Sequence, residues 1–404
     1  MHDARAVFSR RGWLPLAAAL VLAVVLFIAL RARREAAARL AMAQEFAAPS
    51  GETSNLSAAE QARRAAVAAL GPIKHRGVNA ADLYPQAITL YGGLTDAEKK
   101  MLGNWKANFQ ADPALYAKIQ PVMDLIRRAR KADYSDWGVS DWMENGQRLT
   151  AELNAVRRLA SLAAWDSNYR FQTDPAGAVN DLAAMQAMGT SIDQNLEGFL
   201  IENGIHGIAL NVLAQNAASI TTAAGPDLLE ITSDAAVQQD FQNGLNGDAA
   251  GLQTMLTLLS NPSTRSQAEA FLRAPGSPQE ITSEVGWLIQ NEQQLAAHFS
   301  EPYVQFQQWW SQKIVEPASI PFASQIVQAH SNLIAQAEAS IIENRMLSAA
   351  GAYEQTGQPQ ALAATDPATG QPFTYTQTPT GFQLTSQFQV NKKPVTLNFT
   401  TPLQ

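Results

Sequence analysis

No cysteine occurs among the 404 residues, which excludes disulfides, thiolate metal sites and a cysteine nucleophile together. The five histidines, His2, His75, His206, His298 and His330, form neither HExxH nor another paired spacing, so there is no zinc-hydrolase signature. Phosphate loops of the GxxxxGK[ST] or GxGxxG type are missing, as are serine nucleophile elbows. An excess of basic charge is missing too. With 29 Lys and Arg against 36 Asp and Glu, a net charge of -7 and a pI near 5.3, the chain is not built to neutralise phosphates, and nucleic acid is not expected as a partner. No cofactor is expected. A hydrophobic content of 46% is that of a core-forming chain, long enough for two or three domains.

The strongest signal is "GWLPLAAALVLAVVLFIAL", Gly12 to Leu30, nineteen residues without a charge. At about 1.5 Å per residue it can cross a hydrocarbon layer of about 30 Å, and it is read as a membrane-spanning helix. The competing reading is a cleaved signal peptide. The run continues straight into "RARRE", however, and the nearest small-x-small site, Ala41-Met42-Ala43, comes a dozen residues too late, so an uncleaved signal anchor is favoured. Arg5, Arg10 and Arg11 precede the span and Arg31, Arg33, Arg34 and Arg39 follow it, so arginine asymmetry alone does not orient it. The short N-terminal flank with its charged α-amine points to a cytoplasmic N-terminus, a bacterial inner-membrane location and a periplasmic body.

The spacing predicts an anchor and stalk over residues 1–48, a linker over 49–56, a helical domain over 57–354 and a small β module over 355–404. The fold class expected is mainly α: an N-terminal transmembrane helix, stacked helical hairpins and a C-terminal antiparallel β-meander. Ser57 and Thr95 read as helix N-caps. Leu149, Leu153, Val156 and Leu159 make one apolar stripe, and Val179, Leu182 and Met185 another. Later helices are expected near 228–242, 249–259, 263–273, 279–298, 301–313 and 320–354. After these the period changes: "PFTYTQ" and "GFQLTSQF" alternate apolar and polar residues, and "VTLNF" follows the turn "VNKKP" as a third strand. Asp366 and Gly370 should organise the turn into the first strand. Phe373 and Tyr375, with Phe382 and Leu384, should share the sheet face that lies on the helix ending near Tyr353.

Three stretches together resemble a family of planctomycete and verrucomicrobial proteins with an N-terminal membrane helix and a helical body. They are "KADYSDWGVSDWMENGQRLTAELNAVRRLASLAAW", "DPAGAVNDLAAMQAMGTSIDQNLEGFLIENGIHGIALNVL" and "YEQTGQPQALAATDPATGQPFTYTQTPTGFQLTSQF". The last, through Asp366, Pro367, Thr369, Gly370, Pro372, Tyr375, Gly381 and Phe382, also resembles the closing segment of major type II pseudopilins. The resemblance implies a pseudopilin-like β module. Pseudopilins of that class hold calcium in an acidic loop, but this chain has "TSQFQVNKKPVTL" there, two lysines and no carboxylate, which puts calcium in doubt. The prepilin cleavage pattern is also absent.

Two local constellations are candidates for chemistry. Glu202 and His206 in "FLIENGIHGIAL" stand four apart on one helical face, able to share a metal or a proton; the plainer reading is a hydrogen-bonded pair, with Gly204 and Gly207 allowing close helix packing. In "SDWGVSDW", Asp136 and Asp141 adjoin Trp137 and Trp142, as in a saccharide site, although plugging indoles with capping aspartates explain the same residues. Tyr303, Phe306, Trp309 and Trp310 have core spacing. The function these readings favour is a membrane-anchored scaffold or interaction protein of the bacterial envelope, with unidentified protein partners. The alternatives are an accessory component of a secretion or pilus-like machine and an envelope polysaccharide hydrolase.

Overall fold

The structure is a computed structural model that describes residues 77–106, 109–135, 137, 142–192, 195–220, 225–266, 277–313 and 321–400, with the side chains of 142–153, 321–325 and 359 excepted. The chain divides into two units, Met1–Lys74 and His75–Gln404, and every described residue belongs to the second. The expected anchor, stalk, linker and Ser57 cap lie outside the described residues. Among the described residues, no helix is long and apolar enough to cross a membrane. They form eleven α-helices and one three-stranded antiparallel sheet.

Helix α1 (Ala80–Gly92) starts at Asn79, whose side chain accepts the Ala81 N–H. This helix is not among those expected from the sequence, and Pro85 inside it removes one backbone donor. Burial of Leu83, Tyr84 and Ala87 against α3 outweighs that loss. Helix α2 (Asp96–Gly103) has the expected Thr95 cap, with a full capping box to Glu98. In α3 (Pro113–Arg130) the Asp112 carboxylate accepts from Ala114 and Leu115 N–H, and Arg127, Arg128 and Arg130 in the last turn face the negative end of the helix dipole.

Helix α4 (Trp142–Arg170) is followed by α5 (Pro175–Thr190), capped by Asp174 with Pro175 in the first turn. Helix α5 is buried almost all round, and it packs on α3, α4 and α6 (Leu196–Gln215). Such a helix belongs at the centre of the body. After the short α7 (Gly225–Ile231), Ser233 caps α8 (Asp234–Ser260). The glycine-rich "NGLNGD" does not break α8 into the two helices expected from the sequence. Gly244 instead lets α8 approach α6: an added Cβ would lie 3.2 Å from Phe199 Cβ and 3.3 Å from the Asn195 carbonyl. Helix α9 (Pro278–His298) carries a Ser277/Glu280 capping box and packs along α8. Helices α10 (Tyr303–Lys313) and α11 (Pro321–Thr356) complete the set. Phe306 and Trp310 are buried, as their spacing predicts, in a second core with Phe199, Phe241 and Phe299.

Strands β1 (Thr374–Thr378), β2 (Gly381–Val390) and β3 (Lys393–Thr400) follow. Asp366 builds the entry turn. Its carboxylate accepts the Ala368 N–H at 2.9 Å, its carbonyl accepts the Gly370 N–H at 2.9 Å, and Gly370 takes φ +69. Register pairs Tyr375 with Leu384, Phe382 with Phe399 and Leu384 with Leu397. The apolar face so formed joins the same core as Ile342 and Met346 of α11 and Ile205 of α6. Phe382 stands edge-on to Tyr353 at 5.7 Å. Tyr375 departs from its expected burial: it is 44% exposed, because β1 is an edge strand and only the ring's inner side meets Phe382.

Candidate functional site

Of the tryptophan–aspartate doublet, Asp136, Asp141 and the Trp142 side chain lie outside the described residues. Trp137 is buried. Its ring stacks on Tyr84 at 5.6 Å and its indole N–H donates to the Ser191 carbonyl at 2.9 Å. These contacts tie the segment before α4 to α1 and to the end of α5, and they occupy one face of the ring.

Glu202 and His206 are both buried on α6, and both meet Gln186 of α5. The Gln186 amide donates to Glu202 Oε1 at 3.3 Å, and its oxygen lies 3.3 Å from His206 Nδ1. On the other side His206 Nε2 is 3.0 Å from Asn344 Oδ1, and the Asn344 amide donates to Asp234 at 3.3 Å. Asp234 pairs with Arg345 at 2.6 Å, at the rim of the body. A polar seam thus runs from α5 through α6 to α11 and α8. Burial holds the His206 imidazole down, at about 4, so it is neutral at ordinary pH.

A second acid ends the seam on the α8 side. Asp240 and Glu202 are hydrogen-bonded to each other, and burial raises the Asp240 carboxyl. Two carboxyl groups can share such a bond only when one keeps its proton. The arrangement can therefore store a proton between helices. Among the described residues, no group of three or more His, Asp or Glu side chains has the geometry of a metal site.

The two neighbouring glycines do not act as expected from the sequence. A Cβ at Gly204 or Gly207 would meet nothing within 4 Å, so neither brings helices together. Gly189 does that work on the α5 side, where a Cβ would lie 3.1 Å from Glu202 Cα. Sequence reasoning also misses Gln186, Asp240 and Asn344, which come from remote helices. The available signal is Gln186 itself, an amide amid the apolar run of α5.

Two further ionic clusters lie at helix interfaces. Arg127 of α3 meets the buried Asp181 with Nε to Oδ1 at 2.6 Å, and Arg170 of α4 reaches the same carboxylate at 2.5 Å. Burial, followed by the charge of Asp181, lifts the adjacent Asp166 to about 7. Between α9 and α11, His330 Nε2 lies 3.4 Å from Glu292 Oε1. Burial depresses that imidazole to about 4 and raises the carboxyl to about 8, so the pair is neutral. Compared with protein-family models, curated proteins and solved structures, the chain finds no match.

Proposed function

We propose that this chain is a membrane-anchored helical scaffold or interaction protein of the bacterial cell envelope. The uncharged Gly12–Leu30 run would supply the anchor, and the body would stand in the periplasm. The observation that carries the reading is the use to which the body puts its ionisable side chains. Arg127, Arg170, Asp181, Glu202, His206, Glu292 and His330 are committed to links between helices. Polar groups spent on fixing helix positions suit a rigid support for partners.

Fractionation tests it. The full chain should stay with membranes, and a chain beginning at Leu56 should be released. Full-length protein in the soluble fraction would refute the anchor, and a reporter after Gln404 active only in the cytoplasm would refute the orientation.

One observation favours the reading as an accessory part of a secretion or pilus-like machine. The Asp366–Gly370 turn leads into a meander laid on the end of the 36-residue α11, as the pseudopilin resemblance implies. A photo-crosslinker at the exposed Thr376 should then trap a component of such a machine in intact cells. Trapping only unrelated envelope proteins would remove this reading and leave the scaffold standing.

A further inference from the structure

A cleft of about 340 Å³ opens where β3 crosses α6 and α11, lined by Asn203, Gly207, Ser340, Glu343, Lys393 and Pro394 among others. That volume is at the small end of the range for ligand sites. Two features of its wall leave room for a ligand. Glu343 of α11, half-buried in the wall, makes no hydrogen bond or ion pair with any described residue. Gly207 stands in the middle of α6, where glycine weakens a helix, and a Cβ there would meet nothing within 4 Å. The glycine serves no helix contact. It leaves the cleft open beside Glu343.

The remaining lining sets the chemistry. Ser340 donates to Asn203 Oδ1 at 2.7 Å and the Asn203 amide reaches the Gln336 carbonyl at 3.5 Å, so the floor is a row of oriented amide and hydroxyl groups. Lys393 at the start of β3 brings a positive charge into the same lining. A bare cation would be drawn by Glu343 and repelled by Lys393, and an anion the reverse. We propose that this cleft binds a small zwitterion of the amino-acid or short-peptide class, its ammonium on Glu343 and its carboxylate on Lys393. The site stands whether or not the chain is a scaffold.

Desolvation raises the Glu343 carboxyl to about 7, with Lys106 opposing the shift. Lys106 is the charge that acts on it, and Lys393 shares the lining of the cleft. An incoming ammonium favours the ionised form, so binding should release a proton and tighten as pH rises through about 7. It should then weaken as the ligand's own amine, near 8, loses its charge.

Calorimetric or NMR titration of the full chain with alanyl-leucine, its N-acetyl form and its C-terminal amide tests the assignment. The free dipeptide should bind, and each blocked form should bind about tenfold more weakly or worse. Glu343→Gln should lose discrimination against the acetylated probe, and Lys393→Met discrimination against the amide. Gly207→Leu should abolish binding by filling the cleft while both charges remain. Since the Glu343 carboxyl has no hydrogen-bond or ion-pair partner among the described residues, the thermal midpoint of Glu343→Gln should be no lower than that of the parent. Equal binding of all three probes, no binding of the free dipeptide at millimolar concentration, or undiminished binding to the Gly207→Leu variant would each overturn the proposal.

Discussion

His206 poses a counting problem that its geometry makes explicit. A neutral imidazole has one donor and one acceptor, yet both ring nitrogens face amide oxygens, on Gln186 and on Asn344. One amide must therefore turn, and its oxygen then faces a carboxylate, on Glu202 or Asp234, that needs a proton of its own. Burial, only partly offset by Arg345 and Asn344, raises Asp234 and so favours this. Nitrogen NMR should find His206 neutral at pH 6; an imidazolium would show that the proton resides on the ring instead. Asn344→Leu should cost about 1–3 kcal/mol in denaturant unfolding, because it strands an imidazole nitrogen in the core.

The glycines give a paired test at the same scale. Gly189→Ala forces a methyl to within 3.1 Å of the α6 backbone and should destabilise by about 1–3 kcal/mol. Gly207→Ala meets nothing and should stabilise by about 0.5–1 kcal/mol, as helix propensity dictates. Equal effects in thermal melts would show that the helix interfaces are not where these residues place them. Sequence alone cannot separate the two positions, since both are glycines inside helical patterns. Only the neighbouring helix distinguishes them.

Among the elements, those whose signals are local are the ones legible in the sequence. The Thr95 cap, the break before α5 and the period change near residue 372 all come from residues a few positions apart. Helix α1 and the continuity of α8 are not legible, because Pro85 and the glycines near 244 oppose a helix locally and are overruled by burial against remote partners. The candidate site divides likewise: the Glu202–His206 spacing is visible on one helix, while its partners on α5, α8 and α11 depend on packing.

The β2–β3 turn belongs at this scale too. Asn391 and Lys392 both take positive φ, 51 and 64, as a type I′ hairpin requires. Lysine is the strained member, so Lys392→Gly should stabilise by about 0.5–1 kcal/mol. Phe382 is the keystone of the sheet, stacked on Phe399 at 4.8 Å and 2% exposed. Phe382→Ala should cost about 3–5 kcal/mol and raise hydrogen exchange throughout residues 372–400. Unchanged protection there would show that the aromatics do not hold the module. The two extra residues that β2 accommodates between Thr385 and Gln389 bring the Ser386 hydroxyl onto the Asp366 carboxylate, while the same oxygen accepts the Phe388 N–H at 2.8 Å. Turn and sheet are thereby fastened to each other.

For the whole molecule the buried acids dictate a pH dependence. Burial raises Asp166, Asp248 and Glu343 to about 7 and Glu292 and Glu338 to about 8, against about 4 in an unfolded chain. Between those values the folded protein holds more protons than the unfolded one, so stability falls as pH rises through the window. His206 and His330, depressed to about 4, work the other way between about 4 and 6.5. Five acids outweigh two histidines. The thermal midpoint should therefore fall between about pH 5 and pH 8, and a midpoint that rises across this range would contradict the burial described.

The sheet closes a core that α6 began. Residues 374–400 lie against a helix that ends at Gln215, so during synthesis some 185 residues must be added before that face is covered. At about 5–20 residues per second, the ribosome leaves it bare for on the order of ten to forty seconds. A nascent chain in this state is a substrate for chaperones and proteases, and its survival is decided before the last strand exists.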